Sequence, residues 1–210
     1  MNKKEILRYL GAQEGTEKLD ESIARAQREI EAAARLRSTF LLFPICAETD
    51  SVTIGQTQIF SRNLCRHLQG CKEAFLFAMT LGPEVDFLIR RYSVSELSFV
   101  PVLQACAAAY TEECADQAQL ELERLAAERG LYLRPRYSPG YGDFSLEYQR
   151  FLFAVLELPK KIGVSLTDSC LMVPFKSITA VIGLSPDPSL CHVGKCMTCN
   201  LPSCPFRKEP

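Results

Sequence analysis

The longest helical signal in the chain runs from about Ser98 to Arg129 and constrains the fold more than any other segment. Apolar and small residues recur there at steps of three and four, and Gly130 follows as a stop signal. The stripe comprises Leu103, Cys106, Tyr110, Cys114, Ala118, Leu122 and Leu125. We therefore predict one long amphipathic helix that forms the spine of a folded domain.

Shorter helices and strands are predicted before and after this spine, without internal repeats. Leu19 to Ala33 has helical spacing and should pack one face on the core. Further helices are predicted at 61–67, 83–91 and 146–156, and strands at 40–45, 52–60, 73–80, 131–133, 170–173 and 177–184, the last two as a pair. Prolines after Ser185 mark a boundary, which gives a domain over 1–185 and a Cys-rich tail over 186–210.

Composition excludes several classes of protein. The 210 residues are 47% hydrophobic, enough for a full core. Lys and Arg number 24 against 25 Asp and Glu, and no basic segment is interleaved with aromatics, so nucleic acid is not an expected partner. The segment from Met1 to Gly11 is too short and too interrupted for a signal peptide or a membrane span. We expect a soluble cytoplasmic protein that does not bind membranes.

The ten cysteines are more consistent with a reducing compartment than with a disulfide scaffold, because the chain is large and has a real core. Six of them are scattered among apolar residues, where a thiol usually serves as a small buried hydrophobe. We assign no function to these six, which are Cys46, Cys65, Cys71, Cys106, Cys114 and Cys170.

The turn over residues 136–143 is the most informative short segment for function. Pro139 fixes φ, and Gly140 and Gly142 permit backbone conformations closed to other residues. A regular element is predicted on each side, so the turn is held at both ends. Such a turn is typical of a binding loop.

Three side chains of this turn suggest a ligand. Arg136 offers a planar fork of donors that matches a carboxylate or a phosphate. Tyr137 and Tyr141 offer aromatic faces that can stack on a flat heterocycle or lie against a cation. The alternative is a structural salt bridge from Arg136 with packed tyrosines, and these residues alone leave both open.

A wider set of motifs resembles the activation domain of vitamin B12-dependent methionine synthase. Arg136-x-x-Pro139-Gly140-Tyr141 is followed by the segment 163–169 and then by Met172-x-Pro174-x-Lys176-Ser177. The opening segment 6–11 resembles the start of the stand-alone members of that family. The resemblance covers about residues 5 to 184.

This resemblance implies a mixed α+β fold, with a twisted antiparallel sheet flanked by helices, and a site for S-adenosylmethionine. Arg136 would hold the methionyl carboxylate, the backbone of Tyr137, Ser138, Pro139 and Gly140 would line the cofactor, and Tyr141 would close the pocket. In the family, inactive cob(II)alamin is restored by one electron together with a methyl group from S-adenosylmethionine. A methyltransferase component is therefore expected.

The chemistry implied by the resemblance needs positioning rather than acid or base catalysis, and we expect no catalytic residue in this chain. Only His67 and His192 are present, and they do not support a histidine triad or a zinc helix. Glu112 and Glu113 stand where the family places an acidic residue near the ligand. Glu113 is the candidate we select, and a solvated helix face is the alternative for both.

The chain also departs from the long fused enzymes. They place proline after the Gly-Tyr pair, where this chain has Gly142, and their acidic ligand to the amino group has no clear counterpart here. No cobalamin-binding or folate-binding sequence is recognisable. The resemblance thus implies action in trans on a separate cobalamin-binding methionine synthase or another corrinoid protein, with a flavodoxin or a ferredoxin as electron donor.

The tail carries a second motif, Cys191-x4-Cys196-x2-Cys199-x4-Cys204, which is typical of metal binding. Its spacing shares features with ferredoxin motifs without completing any of them, so an iron-sulfur cluster is slightly favoured over zinc. A cluster could deliver the electron that reactivation requires, whereas zinc would make the tail a structural or docking element. The alternative function is a metal-cluster redox or adaptor module for another corrinoid protein, without S-adenosylmethionine chemistry of its own.

Overall fold

The computed structural model describes residues 1–12 and 14–191. Its helices are α1 (Lys3–Leu10), α2 (Glu17–Ala33), α3 (Arg62–His67), α4 (Pro83–Ser95), α5 (Val100–Ala127), α6 (Gln149–Leu156) and α7 (Leu158–Lys161). Its strands are β1 (Arg37–Ala47), β2 (Ser51–Ile54), β3 (Thr57–Phe60), β4 (Glu73–Thr80), β5 (Tyr132–Leu133), β6 (Ser165–Leu166), β7 (Met172–Val173) and β8 (Ser177–Ser185). Short 3₁₀ turns occupy Leu97–Phe99, Leu146–Tyr148 and Pro188–Leu190.

Six strands form one antiparallel sheet in the order β3-β2-β1-β4-β8-β5. The central strand β4 pairs with β1 along one side and with β8 along the other. β5 is a two-residue strand at the edge, next to β8. This sheet, flanked by helices, confirms the predicted α+β fold.

Each face of the sheet carries its own hydrophobic core, because successive side chains of a strand point to opposite faces. On β4, Phe75 and Phe77 pack with α1, α2, α4 and α5, whereas Leu76 and Ala78 pack with α3, α6 and α7. The long helix α5 lies on the first face and contacts the other three helices there. The predicted spine is therefore confirmed.

Local signals in the sequence account for where these helices begin. The hydroxyl of Thr16 caps α2 by accepting from the N–H of Leu19, and Ser61 caps α3 in the same way through Leu64. Pro83 stands in the first turn of α4, where its missing N–H costs nothing. Ser61 and Pro83 are the signals from which the starts of α3 and α4 could be placed, whereas α2 begins at Glu17, two residues before the predicted Leu19.

Two predictions about individual segments were wrong. The strand at 170–173 does not pair with the one at 177–184: β7 forms a small hairpin with β6, while β8 joins the main sheet. Cys46 is exposed, because it faces Thr53 across the β1–β2 pair on the side opposite buried Val52. The other five cysteines assigned no function are buried, as predicted.

All seven cysteines in the described ranges are free thiols. No helix among the described residues combines the length and the apolar character that a membrane crossing needs.

Candidate functional site

The turn that starts at Arg136 continues from the edge of the sheet through a one-residue bulge. The N–H of Arg134 donates to the carbonyl of Gly183 (2.8 Å), and Tyr137 exchanges two hydrogen bonds with Val181 (3.0 and 2.8 Å). Between these two contacts the edge segment advances by three residues, from Arg134 to Tyr137, whereas β8 advances by only two, from Gly183 to Val181. The edge segment therefore contains one extra residue. Pro135 lies within this bulge, where a residue without an N–H is tolerated.

Because of the bulge, the side chain of Arg136 points to the opposite side of the sheet from that of Arg134. Arg134 lies on the α3 side of the sheet, where its guanidinium donates to the carbonyl of Gln69. Arg136 instead reaches α5 on the opposite side. Bulges commonly redirect a side chain next to a functional site, and Pro135 is the one local signal for this bulge, which was not predicted.

The turn itself is closed by its own backbone. The N–H of Gly140 donates to the carbonyl of Phe144 (2.7 Å), and the N–H of Phe144 donates to the carbonyl of Tyr141 (3.0 Å). The N–H of Tyr141 also reaches the carbonyl of Ser138 (3.3 Å). Phe144 is buried in the core beneath the turn, and Pro139 is buried as well. The loop is therefore a fixed structural element, as predicted.

Asp143 fastens the far end of the turn to α3. Its carboxylate accepts hydrogen bonds from the hydroxyl of Ser61 and from the N–H groups of Arg62 (2.9 Å) and Asn63 (3.1 Å). Burial alone would raise the pKa of Asp143, but these hydrogen bonds hold the pKa below its ordinary value. No local pattern in the sequence indicates this cap, because donor and acceptor lie about eighty residues apart.

Arg136 is a buried cation with three partners on one face of α5. Its Nη1 donates to Gln119 (3.0 Å), and its Nη2 donates to Glu112 (3.0 Å) and to Asp116 (2.6 Å). These partners are spaced by four and three residues, which places them on the same side of the helix. The side chain of Arg136 is only 6% exposed, and its Nε makes no hydrogen bond.

The two acidic partners of Arg136 differ in their exposure to water. The side chain of Asp116 is 72% exposed and that of Glu112 is 40% exposed, so the buried guanidinium is paired with two partly hydrated carboxylates. The structural salt bridge that the sequence left open is thus formed. Both N–H groups of Nη2 are taken by Glu112 and Asp116, so a carboxylate ligand binds this atom by displacing one of them. Asp116 is the easier to displace because water already solvates it.

Glu113 lies apart from this cluster. Its carboxylate pairs with the amino group of Met1 at 2.9 Å. Consecutive residues of a helix point about 100° apart, so Glu112 and Glu113 serve different partners. Glu112 is the acidic residue that the structure brings to Arg136.

The two tyrosines of the turn occupy different environments. The ring of Tyr137 stacks between His67 (centroids 4.9 Å apart) and Phe144 (6.2 Å). His67 also donates from Nε2 to the carbonyl of Pro135 (2.8 Å), which ties α3 to the bulge. Tyr141 is 54% exposed and presents an aromatic surface beside the turn. Stacking on a flat group is therefore open to Tyr141 rather than to Tyr137.

Gly142 explains the departure from the proline of the fused enzymes. Its φ is +57°, which proline cannot adopt. A Cβ at this position would also collide with the side-chain amide of Asn63 and stand 2.9 Å from the hydroxyl of Tyr137. In this chain, glycine is required for the turn to close against α3.

Most of the tail motif lies outside the described residues. Cys191 is described, whereas Cys196, Cys199 and Cys204 lie outside the described residues. Within residues 1–12 and 14–191, no group of three or more His, Cys, Asp or Glu side chains could hold a metal ion. Metal binding by the four tail cysteines remains a prediction.

Comparison with known proteins gives two findings. The sequence profile of the vitamin B12 dependent methionine synthase activation domain matches residues 103–209, just over half of the chain. The fold is similar to the crystal structure of the MetH reactivation domain bound to AdoHcy, with a TM-score of 0.61 and 19% identity. That match covers 81% of this chain and 65% of the other. No protein of curated function matches the sequence.

Proposed function

The chain belongs to the family of vitamin B12-dependent methionine synthase activation domains, and we propose on that premise that it binds S-adenosylmethionine at the turn over residues 136–143. The observation that carries the proposal is the buried guanidinium of Arg136, held by two acidic side chains, in the same turn as exposed Tyr141. A ligand with a carboxylate, an ammonium group and a flat heterocycle complements these groups. The similar MetH reactivation domain was crystallised with AdoHcy, a ligand of this chemical class.

The contacts around Arg136 suggest how the methionyl group binds. The ligand carboxylate takes the place of Asp116 on the guanidinium, because Asp116 is the more exposed of the two acidic partners. Glu112 then accepts a hydrogen bond from the ligand ammonium, which supplies the amino-group contact that the sequence left unassigned. Positive and negative charges alternate in this arrangement, so no buried charge is left unpaired.

The backbone of the turn offers acceptors to the rest of the ligand. The N–H groups of Tyr137 and Gly140 already donate within the protein. Their carbonyl oxygens can each accept an additional hydrogen bond. Tyr141 stacks on the adenine or covers the sulfonium.

We propose further that the bound methyl group is delivered to a corrinoid on a separate protein, a cobalamin-dependent methionine synthase or a relative. Cobalamin carried by that partner would supply the nucleophile, with one electron from a flavodoxin or a ferredoxin. This chain contributes positioning: the turn holds the ligand by its carboxylate and ammonium while the sulfonium remains accessible. No side chain of this chain has to exchange a proton, which is consistent with a site built from an arginine, carboxylates and aromatic rings.

Calorimetry with S-adenosylmethionine and with AdoHcy tests the proposed site. We expect Arg136→Ala to weaken binding by roughly tenfold to a hundredfold, because charge-assisted hydrogen bonds to the carboxylate are lost. Arg129→Ala is the matched control, since Arg129 also forms an ion pair, with Glu73 at 2.6 Å. Arg136→Lys keeps the charge without the planar fork and should be intermediate.

A folded wild-type chain that binds neither compound would favour the alternative function, a metal-cluster redox or adaptor module. The internal ion pairs of Arg136 support that alternative, because they satisfy the guanidinium without a ligand. Transfer in trans has a separate test: a cob(II)alamin-loaded corrinoid protein, a reductant and S-adenosylmethionine should form methylcobalamin only when this protein is added. Methylcobalamin formed equally well without it would contradict the reactivation role.

The tail is proposed to bind a metal through Cys191, Cys196, Cys199 and Cys204, as an iron-sulfur cluster or zinc. Metal and sulfide analysis of anaerobically purified protein separates the two. Iron with labile sulfide supports a cluster that passes the electron, and stoichiometric zinc supports a structural or docking role. Protein without either metal would contradict the proposal.

A further inference from the structure

A cleft on the α5 side of the sheet belongs to none of the sites described above. It lies between the end of α1 and the beginning of α5, and its volume is about 340 Å³. Ligand pockets of this size are typically apolar with a few well-placed polar groups. One charged side chain, that of Lys176, lines the cleft together with Tyr9, Leu10, Pro101, Gln104 and Ala105.

The backbone around Lys176 is fixed by hydrogen bonds to neighbouring elements. The carbonyl of Lys176 accepts from the N–H of Leu81 at the end of β4 (2.9 Å). The preceding N–H, of Phe175, donates to the carboxylate of Asp86 in α4 (2.8 Å). These contacts hold the chain just before β8, so the fold determines where the side chain of Lys176 enters the cleft.

The ammonium group of Lys176 is only weakly paired, although the residue is half-buried. Its Nζ donates to the carbonyl of Gln104 at 3.5 Å, which is long for a hydrogen bond. Among the described residues, no carboxylate forms an ion pair with it. Burial lowers the pKa of Lys176, and the charge of Asp86 opposes this effect without reversing it. Because an ammonium group can donate three hydrogen bonds, Lys176 keeps donors for a ligand.

The walls of the cleft are mostly apolar, and one of them is held in place by an ion pair. Two lining residues end α1, and three lie in the first turns of α5. The guanidinium of Arg8 lies over the ring of Tyr9, 4.5 Å from its centroid, and pairs with Glu5 at 2.6 Å. Since Glu5 compensates the charge of Arg8, the positive charge available to a ligand is that of Lys176.

We propose that this cleft binds a small organic monocarboxylate, whose carboxylate group pairs with Lys176 and whose hydrocarbon part lies against the apolar walls. A single ammonium group compensates one negative charge, which favours a carboxylate over a phosphate dianion. The side-chain amide of Gln104 can donate a hydrogen bond to the second carboxylate oxygen. Burial of the hydrocarbon part adds the favourable transfer of apolar surface out of water.

The proposed carboxylate site is separate from the turn over residues 136–143. Lys176 contacts α5 at Gln104, whereas Arg136 contacts the same helix at Asp116. The helix rises about 18 Å between these two positions. The two cations therefore serve different ligands, and the inference does not rest on the proposed binding of S-adenosylmethionine.

Hexanoate, a carboxylate with a short hydrocarbon chain, is the probe for this site. Titration of the ¹⁵N-labelled full-length protein, followed by NMR, should give saturable shifts of the amide signals of the lining residues. We expect Lys176→Met to weaken hexanoate binding about tenfold, because the charge is lost while the unbranched side chain is kept. Lys176→Arg should retain most of the affinity. Equal affinity of Lys176→Met and the wild type would overturn the proposal.

Two further variants are controls for the position of the site. Lys160→Met removes a cation that is 80% exposed and paired with Glu157 at 3.6 Å, and should bind hexanoate like the wild type. Arg136→Ala should also leave hexanoate binding unchanged. Loss of hexanoate binding in Arg136→Ala would show that the probe occupies the turn instead, and would overturn the proposal.

The wild-type protein alone covers the case in which Lys176→Met does not fold. 1-Hexanol has the same hydrocarbon chain without the charge and should bind about tenfold more weakly than hexanoate. Equal binding of the two compounds overturns the proposal, as do hexanoate shifts that do not saturate or that lie away from the cleft.

Discussion

Glu112 and Glu113 provide a matched pair of residues for testing how the ammonium of the ligand is held. Glu112 lies 3.0 Å from Arg136, and Glu113 lies 2.9 Å from the amino group of Met1. Glu112→Gln should weaken S-adenosylmethionine binding about fivefold, a value reduced by the partial exposure of the site. Glu113→Gln should leave binding unchanged by calorimetry. Equal effects of the two substitutions would contradict the assignment of Glu112.

From the lowered pKa of Asp143 we predict that the stability of the domain depends on pH. Its pKa is lowered in the folded state, so its contribution is fully present above the pKa of an unfolded aspartate, about 4, and is lost as the pH falls through the lower folded value. Asp143→Asn should therefore lower the Tm at pH 7, and the difference from the wild type should shrink below about pH 4. Exposed Asp168→Asn is the control. A difference that stays constant with pH would show that the charge of Asp143 contributes nothing.

At the scale of elements, the turn depends on close contact with α3. Substitutions at two glycines distinguish the effect of this contact from the effect of a strained backbone. Gly142 and Gly130 have similar φ values, +57° and +68°, but a Cβ at Gly142 meets Asn63 and Tyr137, whereas one at Gly130 meets nothing within 4 Å. Both alanine variants should lose about 1 kcal/mol for the left-handed backbone. Only Gly142→Ala should also weaken S-adenosylmethionine binding, because the turn must shift. Thermal unfolding and calorimetry measure the two effects, and equal ligand affinity in both variants would contradict this account.

Elements specified by local signals could be predicted from the sequence. Ser61 caps α3, the stripe of α5 faces the core, and the turn after Tyr137 is closed as its Pro and Gly residues require. Contacts between residues far apart in the sequence could not be predicted, because the same residue types are compatible with several partners. Nothing near Asp143 indicates that it caps α3, and no pattern in residues 170–173 distinguishes pairing with β6 from pairing with β8.

At the scale of the whole molecule, the turn joins the two layers of the fold at the edge of the sheet. Arg136 binds α5 on one face, and Asp143 binds α3 on the other. β5 pairs with β8 through only two residues before Pro135 interrupts the ladder, so the turn covers the edge that the strand leaves unpaired. A ligand at Arg136 therefore contacts the point where both cores are tied together, and its binding should stabilise the whole domain against unfolding.

From the composition of the two cores we also predict that the domain still folds when the tail is removed. Their buried members lie between Ile6 and Leu184, so a chain ending at Cys191 retains every one of them. We expect this chain to keep the Tm and the S-adenosylmethionine affinity of the full protein and to lose tight zinc binding, because three of the four tail cysteines are gone. Thermal unfolding, calorimetry and zinc competition check the three properties. Loss of S-adenosylmethionine binding by a fully folded shortened chain would show instead that the tail forms part of the ligand site, and would contradict the boundary predicted near Ser185.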